Sequence, residues 1–122
     1  MATSPVQIHR RVLAFALGLP GAYEDHPWDE TVAKVNKKVF VFLGSEESTM
    51  WPAMTVKLVE SHEEALSIPG AEPTGYGLGK SGWVTIPFDT KLPPFGVLTD
   101  WVEESYRLVA PRRLVAELDE RA

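Results

Sequence analysis

The hydrophobic pattern of this chain changes period after Leu19. Up to Leu19, apolar residues recur at helical spacing: Ile8, Val12, Phe15, Ala16 and Leu19. From Thr31 to Phe88 they alternate or run in short blocks, the pattern of strands. Between the two lies Leu19-Pro20-Gly21-Ala22-Tyr23-Glu24-Asp25-His26-Pro27-Trp28. A helix does not continue through Pro20-Gly21, so the chain starts with one helix and then turns onto a sheet.

Ser4 is a fitting N-cap for that helix, with Pro5 at its first position. Gln7, His9, Arg10 and Arg11 fall on its other faces. Thr31-Val32-Ala33-Lys34-Val35 and Val39-Phe40-Val41-Phe42-Leu43 read as two strands, and Asn36-Lys37-Lys38 between them as a tight hairpin without the usual glycine. Gly44-Ser45-Glu46-Glu47-Ser48 is a polar connector. In the next strand Met54, Val56 and Leu58 share one face, and Thr55 and Lys57 the other. Ser61 caps a short helix through Leu66, with Glu64 placed to complete a capping box; Pro69-Gly70 ends it.

Residues 72–81 are glycine-rich and expected to be irregular. In the last strand Val84, Ile86 and Phe88 share the apolar face, and Trp83 and Thr85 the other. Pro87 puts that segment near a strand end or sheet edge. Pro93-Pro94 precede a long helix whose buried stripe reads Leu98, Trp101, Val102, Ser105, Leu108 and Val109. Pro111 breaks it and starts a final helix that uses Leu114 and Leu118.

Strands do not alternate with long helices, which disfavours a parallel doubly wound sheet. The expected class is α+β: an antiparallel sheet with helices packed on one face and the other face open. The 122 residues suffice for a single domain, 1–122, with one core. The formal charge of −5 argues against non-specific phosphate binding by the whole molecule, unless basic residues are concentrated on one patch. With no cysteine, disulfides, thiolate metal sites and thiol nucleophiles are excluded. Arg10 and Arg11 precede a short apolar run, but it is too short to span a membrane and its helical periodicity begins earlier, at Ile8. The expectation is a cytoplasmic monomer that does not engage a membrane.

Several stretches resemble the MmcQ/YjbR family of small bacterial proteins. Leu19-Pro20-Gly21 followed by Glu24-Asp25 is similar to its "LPG..ED.PF" segment. Lys34 and Lys38 of the hairpin, and Lys57 after Met54, resemble its "FKV.GK.F" and "LK" strands. Gly79-Lys80-Ser81-Gly82-Trp83-Val84 is similar to "L.K..W..V", and Glu104-Ser105-Tyr106-Arg107-Leu108-Val109 to "SYELV". The segments occur in order from about residue 10 to residue 115. Trp28 stands where the family often has phenylalanine, Lys37 replaces a hairpin glycine, and Ser48-Thr49-Met50-Trp51-Pro52 lies outside the pattern. The resemblance implies a frataxin/CyaY-like fold and a predicted DNA-binding role, and it brings no catalytic residues and no cofactor.

Lys34, Lys38, Lys57, Lys80 and Trp83 are the candidate contact residues. On neighbouring strands, Lys57 and Trp83 would share the open face with Thr55 and Thr85. Lysines neutralise phosphate and an indole stacks on a base; the plainer alternative is an indole covering lysine stems. Gly75-Tyr76-Gly77-Leu78-Gly79-Lys80-Ser81 looks like a phosphate loop, but Thr74 occupies its first glycine position and a strand follows instead of a helix. Glu24, Asp25, His26, Asp29 and Glu30 are of metal-binding type without a recognised ligand spacing, and the first helix presents Arg10 and Arg11 where a frataxin-like acidic ridge would lie; the plainer reading has such carboxylates accept from loop amides or meet a lysine such as Lys34. No nucleophile elbow accompanies the serines and histidines. Ser105 is expected to bond a carbonyl one turn back, and Tyr106 to turn its hydroxyl to solvent.

The sequence reading is therefore a non-enzymatic binding domain with DNA as partner. Its alternatives are a protein- or small-ligand-interaction domain using the same face, or a metal-handling protein of frataxin type.

Overall fold

The computed structural model describes residues 4–44, 52–75 and 78–121. Most of the polar connector after Gly44, and Tyr76-Gly77 of the glycine-rich stretch, lie outside them. Helix α1 (Pro5–Leu17) starts with the expected cap. Gln7 N donates to Ser4 Oγ, and Ser4 N to Gln7 Oε1, both at 3.2 Å. Val12 and Ala16 are fully buried, and Gly18 closes the helix by donating to the carbonyl of Phe15. Among the described residues no helix is long and apolar enough to cross a membrane.

Six strands form one sheet: β1 (Tyr23–Asp25), β2 (Thr31–Val35), β3 (Lys38–Gly44), β4 (Ala53–Lys57), β5 (Glu72–Pro73) and β6 (Trp83–Pro87). Their order is β1-β2-β3-β4-β6-β5, and every neighbouring pair is antiparallel. Helix α2 (His62–Leu66) follows β4, and α3 (Phe95–Val109) and α4 (Arg112–Glu120) complete the chain. Val41, Val56 and Val84 stand opposite one another across β3, β4 and β6, all at 0 % exposure. This is the core face, and α1 and α3 pack on it. Burying each such side chain contributes about 1.5–3 kcal/mol. The α+β class with an antiparallel sheet and helices on one face is thus the fold of this chain.

The edge strands were not legible in the sequence. β1 sits inside the supposed entry loop and β5 inside the supposed irregular stretch. Both are very short, and tertiary pairing rather than local pattern makes them strands. Pro73 is tolerated because β5 is an edge.

The β2–β3 hairpin is shaped by a tight turn and two register shifts, one between Thr31 and Val32 and one between Ala33 and Lys34. It turns through Asn36 and Lys37, with φ of 50° and 69°. Two consecutive positive φ angles are the primed turn that matches strand twist. Further along, Ala33 faces Val41 but Lys34 faces Val39, so Phe40 is an inserted bulge residue. The bulge lets Phe40 and Val41 both be fully buried, which strict alternation forbids.

Helix α3 corrects three expectations. Leu108 is 44 % exposed, whereas Tyr106 is fully buried. At about 100° per residue, the two lie on opposite margins of an arc centred near Val102 and Ser105; the helix is rolled towards Tyr106. Tyr106 does not turn to solvent: its hydroxyl donates to the Pro20 carbonyl at 2.6 Å, and its ring meets Phe40 edge-on at 5.3 Å. Ser105 does not bond within its own helix. Its hydroxyl donates to the Phe40 carbonyl and accepts from Lys57 N at 2.9 Å.

The capping box of α2 is also absent. Ser61 makes no cap bond with its side chain, and its hydroxyl donates instead to Glu104 at 2.8 Å.

Candidate functional site

The open sheet face is laid out by the strand register. One row across it runs Asp25, Val32, Phe42, Thr55, Thr85 and Glu72, each facing the next on the neighbouring strand. The next row runs Tyr23, Lys34 and Val39 on one side of the bulge, and Lys57 and Trp83 on the other. Lys34 is one residue beyond Ala33 and Lys57 one beyond Val56, and both of those are level with Val41. The two lysines therefore stand at the same height, two strand spacings or about 10 Å apart.

Lys57 is directly opposite Trp83, so the expected lysine–indole neighbourhood forms. The indole, however, is only 9 % exposed, with its ring against Phe42 at 5.4 Å in an edge-on arrangement. Base stacking needs a ring face open to solvent. Trp83 thus sits as packing beside Lys57. The threonine hydroxyls are likewise engaged with one another: Thr55 with Thr85 at 2.9 Å, and Thr85 with Thr74 at 3.0 Å.

Lys38, exposed, opens β3 beside the hairpin turn. Lys80, also exposed, lies in a 3-10 turn (Leu78–Ser81) ahead of β6. That turn is pinned to the end of β4, where Leu58 N donates to the Gly82 carbonyl at 2.9 Å. Gly82 has φ +94°, and a Cβ there would lie 2.6 Å from the Leu58 carbonyl oxygen, so glycine is required. Because the strands are antiparallel, the hairpin, the end of β4 and the start of β6 all fall at one end of the sheet. Lys34, Lys38, Lys57 and Lys80 gather there. Asp29, Glu30 and Asp89 flank the opposite strand ends, whereas Asp25 reaches Lys34 and Glu60 follows the end of β4. Glu63 and Glu64 belong to α2, whose Ala65 packs in the core on the covered side.

One of these lysines is not unencumbered. Lys34 Nζ lies 2.7 Å from Asp25 Oδ2. The hydrogen bond from Lys34 holds the Asp25 carboxyl below its ordinary value, and the Asp25 carboxylate raises the lysine above its own.

The same pairing bears on the acidic segment. Asp25 Oδ1 also accepts from His26 N at 2.8 Å, and Glu24 Oε2 meets His26 Nε2 at 2.7 Å. Among the described residues no group of three His, Cys, Asp or Glu side chains converges as a metal site. Arg11 of α1 stacks over Phe95 at 3.9 Å. The phosphate-loop look-alike runs from its 3-10 turn straight into β6, with no helix N-terminus behind it.

Ser105 and Tyr106, which sequence reasoning misjudged, form a second constellation with Glu104, a structural one. Glu104, Ser105 and Tyr106 are consecutive on α3 and reach three different places. Glu104 Oε2 accepts from Val59 N at 2.7 Å and Ser61 N at 3.4 Å, Ser105 bridges β3 and β4, and Tyr106 reaches Pro20. The available signal was Ser105, a polar residue within an apolar stripe: a buried hydroxyl must find partners. Leu19-Pro20-Gly21 and Ser105-Tyr106, two of the motif stretches, are thus one contact.

No curated protein matches the chain. The YjbR family model matches residues 17–108, a span that contains all six strands, Pro20 and the Glu104-Ser105-Tyr106 triplet. The chain belongs to the YjbR family.

Proposed function

We propose that this protein is a non-enzymatic, cytoplasmic, monomeric binding domain that takes DNA by its phosphates. Lys34, Lys38, Lys57 and Lys80 are the contacts, and Trp83 holds the surface beside Lys57. The observation that carries the reading is the sorting of charge along the strands. Lys34 and Lys57 stand level on the open face, Lys38 and Lys80 lie at the same end of the sheet, and Asp29, Glu30 and Asp89 flank the other end. This meets the objection raised by the net charge of −5, since a local basic patch suffices to hold phosphates. The DNA-binding role implied for the family points the same way. Contacts of this kind position a duplex without reading its sequence, so affinity with little sequence preference is expected.

A second reading uses the same face for a protein partner. It rests on Tyr23, 42 % exposed in the row with Lys34, as an aromatic anchor.

Fluorescence anisotropy with short labelled duplex and single-stranded DNA separates the two. DNA binding predicts saturable association at low salt that weakens steeply as salt rises. Lys57→Ala with Lys80→Ala should abolish it or lower the salt slope by about 2, one per lysine removed. No association at low salt, or association indifferent to both substitutions, overturns the DNA reading and leaves the protein-partner one.

A further inference from the structure

On the covered side of the molecule, α3 and the segment after β4 enclose a cleft of about 340 Å³, lined by Val59, Glu60, Asp100, Glu103, Glu104, Arg107 and Leu108. Two observations meet there. Val59, 66 % exposed, and Leu108, 44 % exposed, are the most exposed large aliphatic side chains among the described residues. Scattered singly they would mean little, but both line one concavity. The rim is acidic. Glu104 is spent on Val59 N and on Ser61, and Arg107 is drawn to Glu103 at 3.4 Å and Asp119 at 2.8 Å. Even counting Arg107, the lining carries an excess of negative charge from Glu60, Asp100 and Glu103.

We infer that this cleft is a docking site for a basic amphipathic peptide segment of another protein, with aliphatic side chains seated against Val59 and Leu108 and Lys or Arg residues meeting Asp100, Glu103 and Glu60. Charge complementarity selects the partner, because an aliphatic patch ringed by carboxylates rejects acidic and anionic ligands. In such a site a few apolar anchors give affinity and the surrounding charges give selection. The surface lies along α3, which packs on the core face, so it is separate from the lysines of the open face. One chain can carry an anion-binding surface and a cationic-peptide site together.

The test uses the full chain, isotope-labelled, and a synthetic amphipathic helix built of leucine and lysine alone, followed by amide NMR shifts. The expected result is saturable perturbation centred on Val59, Glu60, Asp100, Glu103 and Leu108, at least tenfold weaker binding for Leu108→Ser, and several-fold weaker binding for Asp100→Asn. Asp100 is exposed on α3, so its substitution keeps the test valid if Leu108→Ser perturbs folding. A matched peptide with glutamate in place of lysine should not bind. Shifts spread over all acidic surfaces, or binding unchanged in both variants, overturn the proposal. So does the same shift pattern arising from protein concentration alone, which would identify a second copy of this chain as the occupant.

Discussion

The hydroxyl of Tyr106 donates to the carbonyl oxygen of Pro20 at 2.6 Å, a bond between residues 86 positions apart. It ties the end of the first helix to the last long one, and both groups are buried. Pro20 lies in the turn that follows α1, and the phenol gives its buried carbonyl a donor. Burial raises the Tyr106 pKa above the ordinary 10.0, so the hydroxyl remains a donor through the neutral range. Removing the hydroxyl in Tyr106→Phe should cost about 1–2 kcal/mol, because a buried acceptor is left unpaired. Urea unfolding with unchanged slope would record it; an unchanged midpoint would show that the bond contributes nothing.

Ser105 joins β3 to β4 beside the bulge at Phe40, where the regular ladder is interrupted. Ser105→Ala strands the Phe40 carbonyl and the Lys57 amide together, and should cost about 2–3 kcal/mol. A measurement specific to the clasp is hydrogen exchange. The Lys57 amide should lose protection in the variant by more than the global loss of stability, whereas Val56 and Val84 should follow the global value.

Lys37 occupies a left-handed position, φ 69°, that glycine adopts without steric cost. Lys37→Gly should stabilise the protein by about 1 kcal/mol, the relief of Cβ strain being offset in part by chain entropy. Lys37→Ala keeps the strain and should not stabilise. If both variants behave alike in thermal unfolding, the effect is of charge and not of backbone.

The Asp25–Lys34 pair predicts a pH dependence with two limits. The carboxyl of Asp25 is depressed from 3.8, so its contribution is present above that value and lost as pH falls through the folded pKa. Lys34 is raised from 10.5, so its contribution is present below that value and lost as pH rises through the folded pKa. In Lys34→Met the Asp25 carboxyl should titrate at higher pH, nearer its ordinary value, as read by carboxyl carbon NMR. Asp25→Asn frees Lys34 and should tighten DNA binding at low salt; weaker binding would mean that the pair positions the lysine instead of masking it.

Local pattern determined a large part of this protein. Ser4, Pro5 and Pro20-Gly21 bound the first helix because caps and breakers act within a turn of chain. The alternation of Met54, Val56 and Leu58 against Thr55 and Lys57 assigned faces, because side chains on a strand alternate whatever lies beside it. The order of elements was enough for the α+β class, and the motif order for the family. Only the tertiary structure decided which strands are neighbours, and hence that Lys57 faces Trp83, that Phe42 closes over the indole, and that Asp25 is the carboxylate of its segment that meets Lys34. Spacing carries no trace of such pairings, since register joins residues far apart in sequence. The same holds for Leu108 and Tyr106: periodicity put Leu108 in the buried stripe and left Tyr106 outside it, and the roll of α3 towards Pro20 and Phe40 reversed the two. That roll, which seats Leu98, Trp101, Val102 and Tyr106 in the core, left Leu108 exposed beside Val59.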